Sequence, residues 1–154
     1  MEPVIGPVDV PLEPLTVQPV KPHEAFFSAA ESLLTGAGII AESGQNASVA
    51  FTFLCGQATE CFLKAFLSHR GVDLDTLKSA AFRHDIGKLW SAAMSRALPL
   101  GDPMPPWADC LDELHDNPYY LRYPMGLHGI VLPGIDPMLS ELQRIREMVR
   151  SAIK

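Results

Sequence analysis

Residues 51–67 read Phe-Thr-Phe-Leu-Cys-Gly-Gln-Ala-Thr-Glu-Cys-Phe-Leu-Lys-Ala-Phe-Leu, and the spacing of their apolar side chains decides the fold class. Phe51, Leu54, Cys55, Ala58, Cys61, Phe62, Ala65 and Phe66 recur at intervals of three and four, the period of an α-helix. Their set covers so much of the circumference that the helix belongs at the centre of a bundle. The pattern predicts a helix from Asn46 or Ala47 to His69, closed by Gly71. Glu60 and Lys64 interrupt the apolar set as an i,i+4 ion pair in the favourable orientation, a contribution of a few tenths of a kcal/mol on an exposed helix.

Outward from this stretch the other segments are also helical. A first helix is expected over residues 23–40, with Phe26, Ala29, Ala30, Leu33 and Leu34 inward and Gly36 and Gly38 weakening its end. Residues 75–80 suggest one short turn of helix, followed by a break at Phe82, Arg83 and His84. Residues 85–97 present Ile86, Leu89, Trp90, Ala93 and Ala97 on one face. A proline-rich loop (Pro99, Pro103, Pro105, Pro106) leads to a helix over residues 107–117, stopped by Pro118. After a long Pro- and Gly-containing loop, Asp136 and Pro137 are expected as N-cap and first residue of a final helix to about Ile153. Its stripe is Met138, Leu142, Ile145, Val149 and Ile153. With neither strand alternation nor an internal repeat, the expectation is an all-α antiparallel helical bundle with one or two long connections.

Residues 1–22 are set apart as an extended arm. Pro3, Pro7, Pro11, Pro14 and Pro19 exclude a helix there. Two readings stay open for it, a disordered leader and an apolar strap (Val4, Ile5, Val8, Val10, Leu12, Leu15) that packs on a neighbour. The remaining residues, 23–154, form one domain, of ordinary size for a single core.

At 47% hydrophobic and 19% charged residues, the chain is neither a disordered tail nor a coiled coil. A net charge of −6 argues against a broad nucleic-acid-coating surface and leaves room for a small local site. Cys55, Cys61 and Cys110 show no paired ligand spacing and read as small apolar residues; no metal or cofactor is expected from them. No cationic-then-apolar leader opens the sequence, and its longest uncharged run, residues 43–59, is too short to span a bilayer. A cytoplasmic protein without membrane contact is expected.

Three segments carry a resemblance: Glu60-Cys61-Phe62-Leu63-Lys64-Ala65-Phe66-Leu67 with Gly71-Val72, then His84-Asp85-Ile86-Gly87-Lys88-Leu89, then Leu121-Arg122-Tyr123-Pro124. In order and spacing they resemble small prokaryotic proteins of the HEPN superfamily, whose members show Glu-x-x-Leu-Lys-Ala, His-Asp-hydrophobic and Arg-Tyr-Pro elements. The resemblance covers residues 23–154 and implies an RNA- or nucleotide-associated helical domain that dimerises. Ribonuclease members carry Arg-x(4–6)-His and act without a metal. Arg122 and His128 stand at that spacing, here within a Pro/Gly loop and not at a helix start. By resemblance His128 is the general acid–base group on the RNA 2′-hydroxyl and Arg122 the phosphate ligand, as in a metal-independent endoribonuclease or toxin-like component. The other implied role is a non-catalytic dimeric module that supports a partner such as a nucleotidyltransferase.

Further expectations concern arrangement. Glu60, Lys64, His84, Asp85 and Arg122 are candidates for one polar cluster, because a sequestered Arg122 needs an acid and Glu60 or Asp85 would supply it. Asp85 also suits the start of a helix. Tyr119, Tyr120 and Tyr123, beside Arg122, either pack the loop or stack on a base. A rival metal-dependent phosphohydrolase reading takes His84 and Asp85 as its central doublet, with His69 upstream and Asp109 or Asp112 downstream. The acidic run Asp109, Asp112, Glu113 and Asp116 reads as a solvated face. The basic flank Arg146, Arg150 and Lys154 matches it in charge, which suggests a homodimer contact or a pairing of the two helices within one chain.

Overall fold

The computed structural model describes residues 19–116, 119–123 and 129–154. Six helices follow one another: α1 (Pro22–Glu42), α2 (Ser48–His69), α3 (Leu74–Lys78), α4 (Ile86–Met94), α5 (Pro106–His115) and α6 (Ile135–Ala152). Among the described residues there is no strand, so the all-α expectation holds. Most of the expected arm lies outside the described residues, and Pro22 already belongs to α1.

α2 is the central element, with 13 of its 22 residues buried. It packs against α1, α4, α5 and α6. Phe51, Cys55, Ala58, Phe62, Ala65 and Phe66 are sealed from solvent, together with Leu63 and Leu67 on the other side of the helix. Burying a large apolar side chain contributes about 1.5–3 kcal/mol, so this helix carries much of the core.

α1 opens on Pro22 in its first turn, with the Glu24 carboxylate accepting from the Lys21 amide at 3.4 Å. Its two glycines do not end it, and the helix runs on to Glu42. Tertiary packing of α1 on α2 overrides their low propensity; a Cβ at Gly36 would stand in ordinary contact with Leu54 of α2, at 3.4 Å. Ala30, Leu34 and Ala37 face the core, whereas Ala29 is exposed.

The later helices differ from expectation mainly at their ends. α4 stops at Met94 and Ala97 takes a left-handed φ of 67°, so Ala97 leaves the inner face. The Trp90 indole donates to the Gly101 carbonyl at 2.9 Å and ties the proline loop to α4. α6 starts two residues earlier than expected, with Gly134 as N-cap and Asp136 in the first turn. Its stripe of Met138, Leu142, Ile145 and Val149 is buried, and Ile153 is only partly so.

Candidate functional site

The second half of α2 places two charged side chains in the core: Glu60 and Lys64 are 5% and 6% exposed. They form the expected i,i+4 pair, with Lys64 Nζ 2.6 Å from Glu60 Oε1, but inside the bundle and not on its surface. Burial changes the energetics, because desolvating two ions is offset only by near-complete hydrogen bonding. The surrounding elements supply it. Lys64 Nζ also donates to the Arg83 carbonyl at 2.6 Å, and Arg83 holds a left-handed φ of 35°. That bend delivers His84, whose Nδ1 lies 3.0 Å from Glu60 Oε2. From the last turn of α5, His115 Nε2 reaches the same oxygen at 2.7 Å.

Burial by itself would raise the Glu60 carboxyl, but hydrogen bonds from His115, Lys64 and His84 outweigh it and hold the pKa down at about 2. Glu60 is therefore a buried anion shared by three donors. His115 fits because α2 carries Gly56 opposite it; a Cβ there would stand 2.8 Å from His115 Nδ1. That Nδ1 atom is buried and has no partner among the described residues.

The predicted five-residue cluster thus forms in part. Glu60, Lys64 and His84 meet, whereas Asp85 does not join them. Asp85 is the N-cap of α4, accepting from the Lys88 amide at 2.7 Å and pairing with Lys88 Nζ at 2.8 Å, where the helix dipole favours a carboxylate. Arg122 is exposed and touches neither Glu60 nor Asp85. Its guanidinium lies 5.5 Å from the Phe53 ring centroid and 5.6 Å from that of Tyr119. A solvated guanidinium needs no buried acid, which is why the anticipated ion pair does not form. Tyr123 is 63% exposed. His128 lies outside the described residues, so the Arg122–His128 pair has no geometry here.

Tyr119 links the interior to the surface. Its ring meets the His84 ring edge-on at 6.0 Å, and His84 meets His115 at 5.8 Å. A path therefore runs from Glu60 through His84 and Tyr119 to Arg122. Arg122 edges a cleft of about 880 Å³ at the start of α2, walled by Ala47, Val49, Phe53, Leu54 and Leu121.

The phosphohydrolase constellation does not assemble. His69 meets the His23 ring edge-on at 5.0 Å, Asp85 faces Lys88, and Asp112 accepts from the Gly87 amide at 3.0 Å. Asp112 is accordingly not part of a purely solvated acidic face; burial raises its pKa against the opposing hydrogen bond from Gly87. The basic flank of α6 is likewise engaged within the chain, since Arg146 and Arg150 both pair with Glu31 of α1 and with Glu147. The cysteines behave as structural residues: burial pushes the Cys55 thiol up to about 12 and the Cys61 thiol to about 11.

His115 is the site residue that sequence reasoning missed. Its signal was present, because Ala108, Leu111 and His115 share one face of α5 at spacings of three and four. The acidic composition of that helix drew attention to the opposite face. Comparison with protein-family models, with curated proteins and with solved structures finds no significant match. Among the described residues no helix is long and apolar enough to cross a membrane.

Proposed function

We propose that the chain is a HEPN-like domain that engages an unpaired RNA segment or a nucleotide at the cleft beside Arg122. The observation that carries this reading is the exposed Arg122 side chain, its guanidinium in cation–π contact with Phe53 and Tyr119 at the cleft edge. A guanidinium plane and aromatic faces suit unpaired bases, and the fixed positive fork suits phosphate oxygens. With a net charge of −6, binding of this kind is confined to a local patch and is salt-sensitive. Cleavage, in this reading, uses His128 as the acid–base group and Arg122 as the phosphate ligand, without a metal and within a homodimer.

A second reading follows from the cleft walls. Ala47, Val49, Leu54 and Leu121 are apolar, and Val49 is 47% exposed. Such a surface also suits a helix of a partner protein, as expected of a dimeric module that supports a nucleotidyltransferase.

RNA cleavage and growth-inhibition assays of wild type against His128→Ala separate the two. Cleavage lost in the variant supports the nuclease form. Equal behaviour with no toxicity removes catalysis, and fluorescence anisotropy with single-stranded RNA then decides between RNA binding and the partner module.

A further inference from the structure

Glu60, His84 and His115 come from three different parts of the chain, the middle of α2, the loop before α4 and the last turn of α5. Each offers one ligand atom, and the three atoms lie within 4.8 Å of one another. Two of the spacings are already short: Glu60 Oε2 is 3.0 Å from His84 Nδ1 and 2.7 Å from His115 Nε2. Ligand atoms on a tetrahedron around a zinc-class ion, with bonds of about 2.0–2.1 Å, stand roughly 3.3 Å apart. Those two spacings need to open by roughly half an ångström, and each imidazole must turn a bare nitrogen and not an N–H toward the ion, for the three atoms to form a coordination shell.

We propose that Glu60, His84 and His115 form a binding site for a divalent transition metal of the zinc class. Two imidazoles and a carboxylate are the donor set that suits such an ion and not magnesium or calcium, which take oxygen shells. Glu60 and His115 are buried, at 5% and 2% exposure. The His84 side chain is 31% exposed and forms the solvent side of the cluster. Three protein ligands leave one tetrahedral position for water or another small ligand, as in sites that act chemically and unlike closed four-ligand structural sites.

Lys64 sets the limits of this site. Its ammonium occupies Glu60 Oε1 at 2.6 Å, so the carboxylate ligates through Oε2 alone, and the neighbouring positive charge opposes the cation. His115 Nδ1 lacks an acceptor among the described residues; an absent outer partner of this kind typically weakens metal affinity about 10- to 100-fold. The expected affinity is that of an exchangeable ion and not of a folding cofactor. The site stands independently of the Arg122 reading.

The test uses the full chain, stripped with chelator and titrated with zinc chloride, followed by calorimetry and thermal unfolding. One zinc per chain and a raised Tm are expected, with no response to magnesium. His84→Ala, at a partly exposed position that leaves the core filled, is expected to weaken binding at least about tenfold. Cobalt substitution in the wild type is expected to give a tetrahedral visible spectrum. Absence of zinc binding, or binding that His84→Ala leaves unchanged, overturns the proposal and leaves the cluster as a hydrogen-bonded network alone.

Discussion

A carboxylate in the middle of an apolar helix survives there only when its surroundings answer its charge. Glu60 has the Lys64 ammonium on one oxygen and two imidazoles on the other. Glu60→Ala leaves the ammonium buried with the Arg83 carbonyl as its remaining partner and strands two imidazoles. Loss of one partner from a buried pair costs about 3–5 kcal/mol, so urea denaturation of this variant is expected to show a loss of that size, against about 1 kcal/mol or less for an exposed pair. The pH dependence has a fixed sign. With the folded pKa lowered from 4.5 to about 2, the Glu60 contribution in metal-free buffer is fully present above about pH 4.5 and is lost as pH falls through about 2. The sequence exposed part of this arrangement. Glu60, Lys64 and His84 were legible because a charged pair stood out inside an apolar run and a His-Asp doublet marked a helix start. Their depth was not legible, because i,i+4 spacing is the same on a surface and in a core. Exposure of Arg122 was not legible either, since sequence alone does not tell a sequestered guanidinium, which requires an acid, from a solvated one, which does not.

Between elements, the close approach of α5 to α2 depends on Gly56. An alanine there improves helix propensity by up to about 1 kcal/mol, yet its Cβ would stand 2.8 Å from His115 Nδ1. The imidazole cannot withdraw freely, because its Nε2 is held by Glu60 at 2.7 Å. Gly56→Ala is therefore expected to be destabilising by about 1–2 kcal/mol net, measured by denaturant unfolding; a stabilised variant would show that α5 can shift without cost. Helix existence and type were read correctly from the 3.6-residue period, including the short α3. The ends were less legible. Gly36 and Gly38 suggest a weak terminus, although packing of α1 on α2 carries the helix to Glu42. The Asp136-Pro137 pair points to Pro137 as the first residue of α6, whereas Gly134 caps the helix and Pro137 sits inside its first turn, where a missing amide is harmless.

At the scale of the whole molecule, charge placement is what separates self-association from internal pairing. The basic flank of α6 was expected to meet an acidic helix of a second copy. In the structure Arg146 and Arg150 pair with Glu31 and Glu147, so that argument for a homodimer no longer rests on free charge. The double charge reversal Arg146→Glu with Arg150→Glu is expected to lower stability by about 1 kcal/mol or less per pair and to leave the sedimentation coefficient unchanged. A slower-sedimenting variant would return the flank to an interface. The central claim is that the Arg122 platform at the start of α2 receives RNA or a nucleotide. Its most direct test is a two-dimensional NMR titration of isotope-labelled protein with a short single-stranded RNA at low salt. Chemical-shift changes are expected to concentrate at Phe53, Tyr119, the Arg122 side chain and the first turn of α2, and to be abolished in Arg122→Ala. No perturbation, or perturbation confined to another face of the bundle, would contradict it.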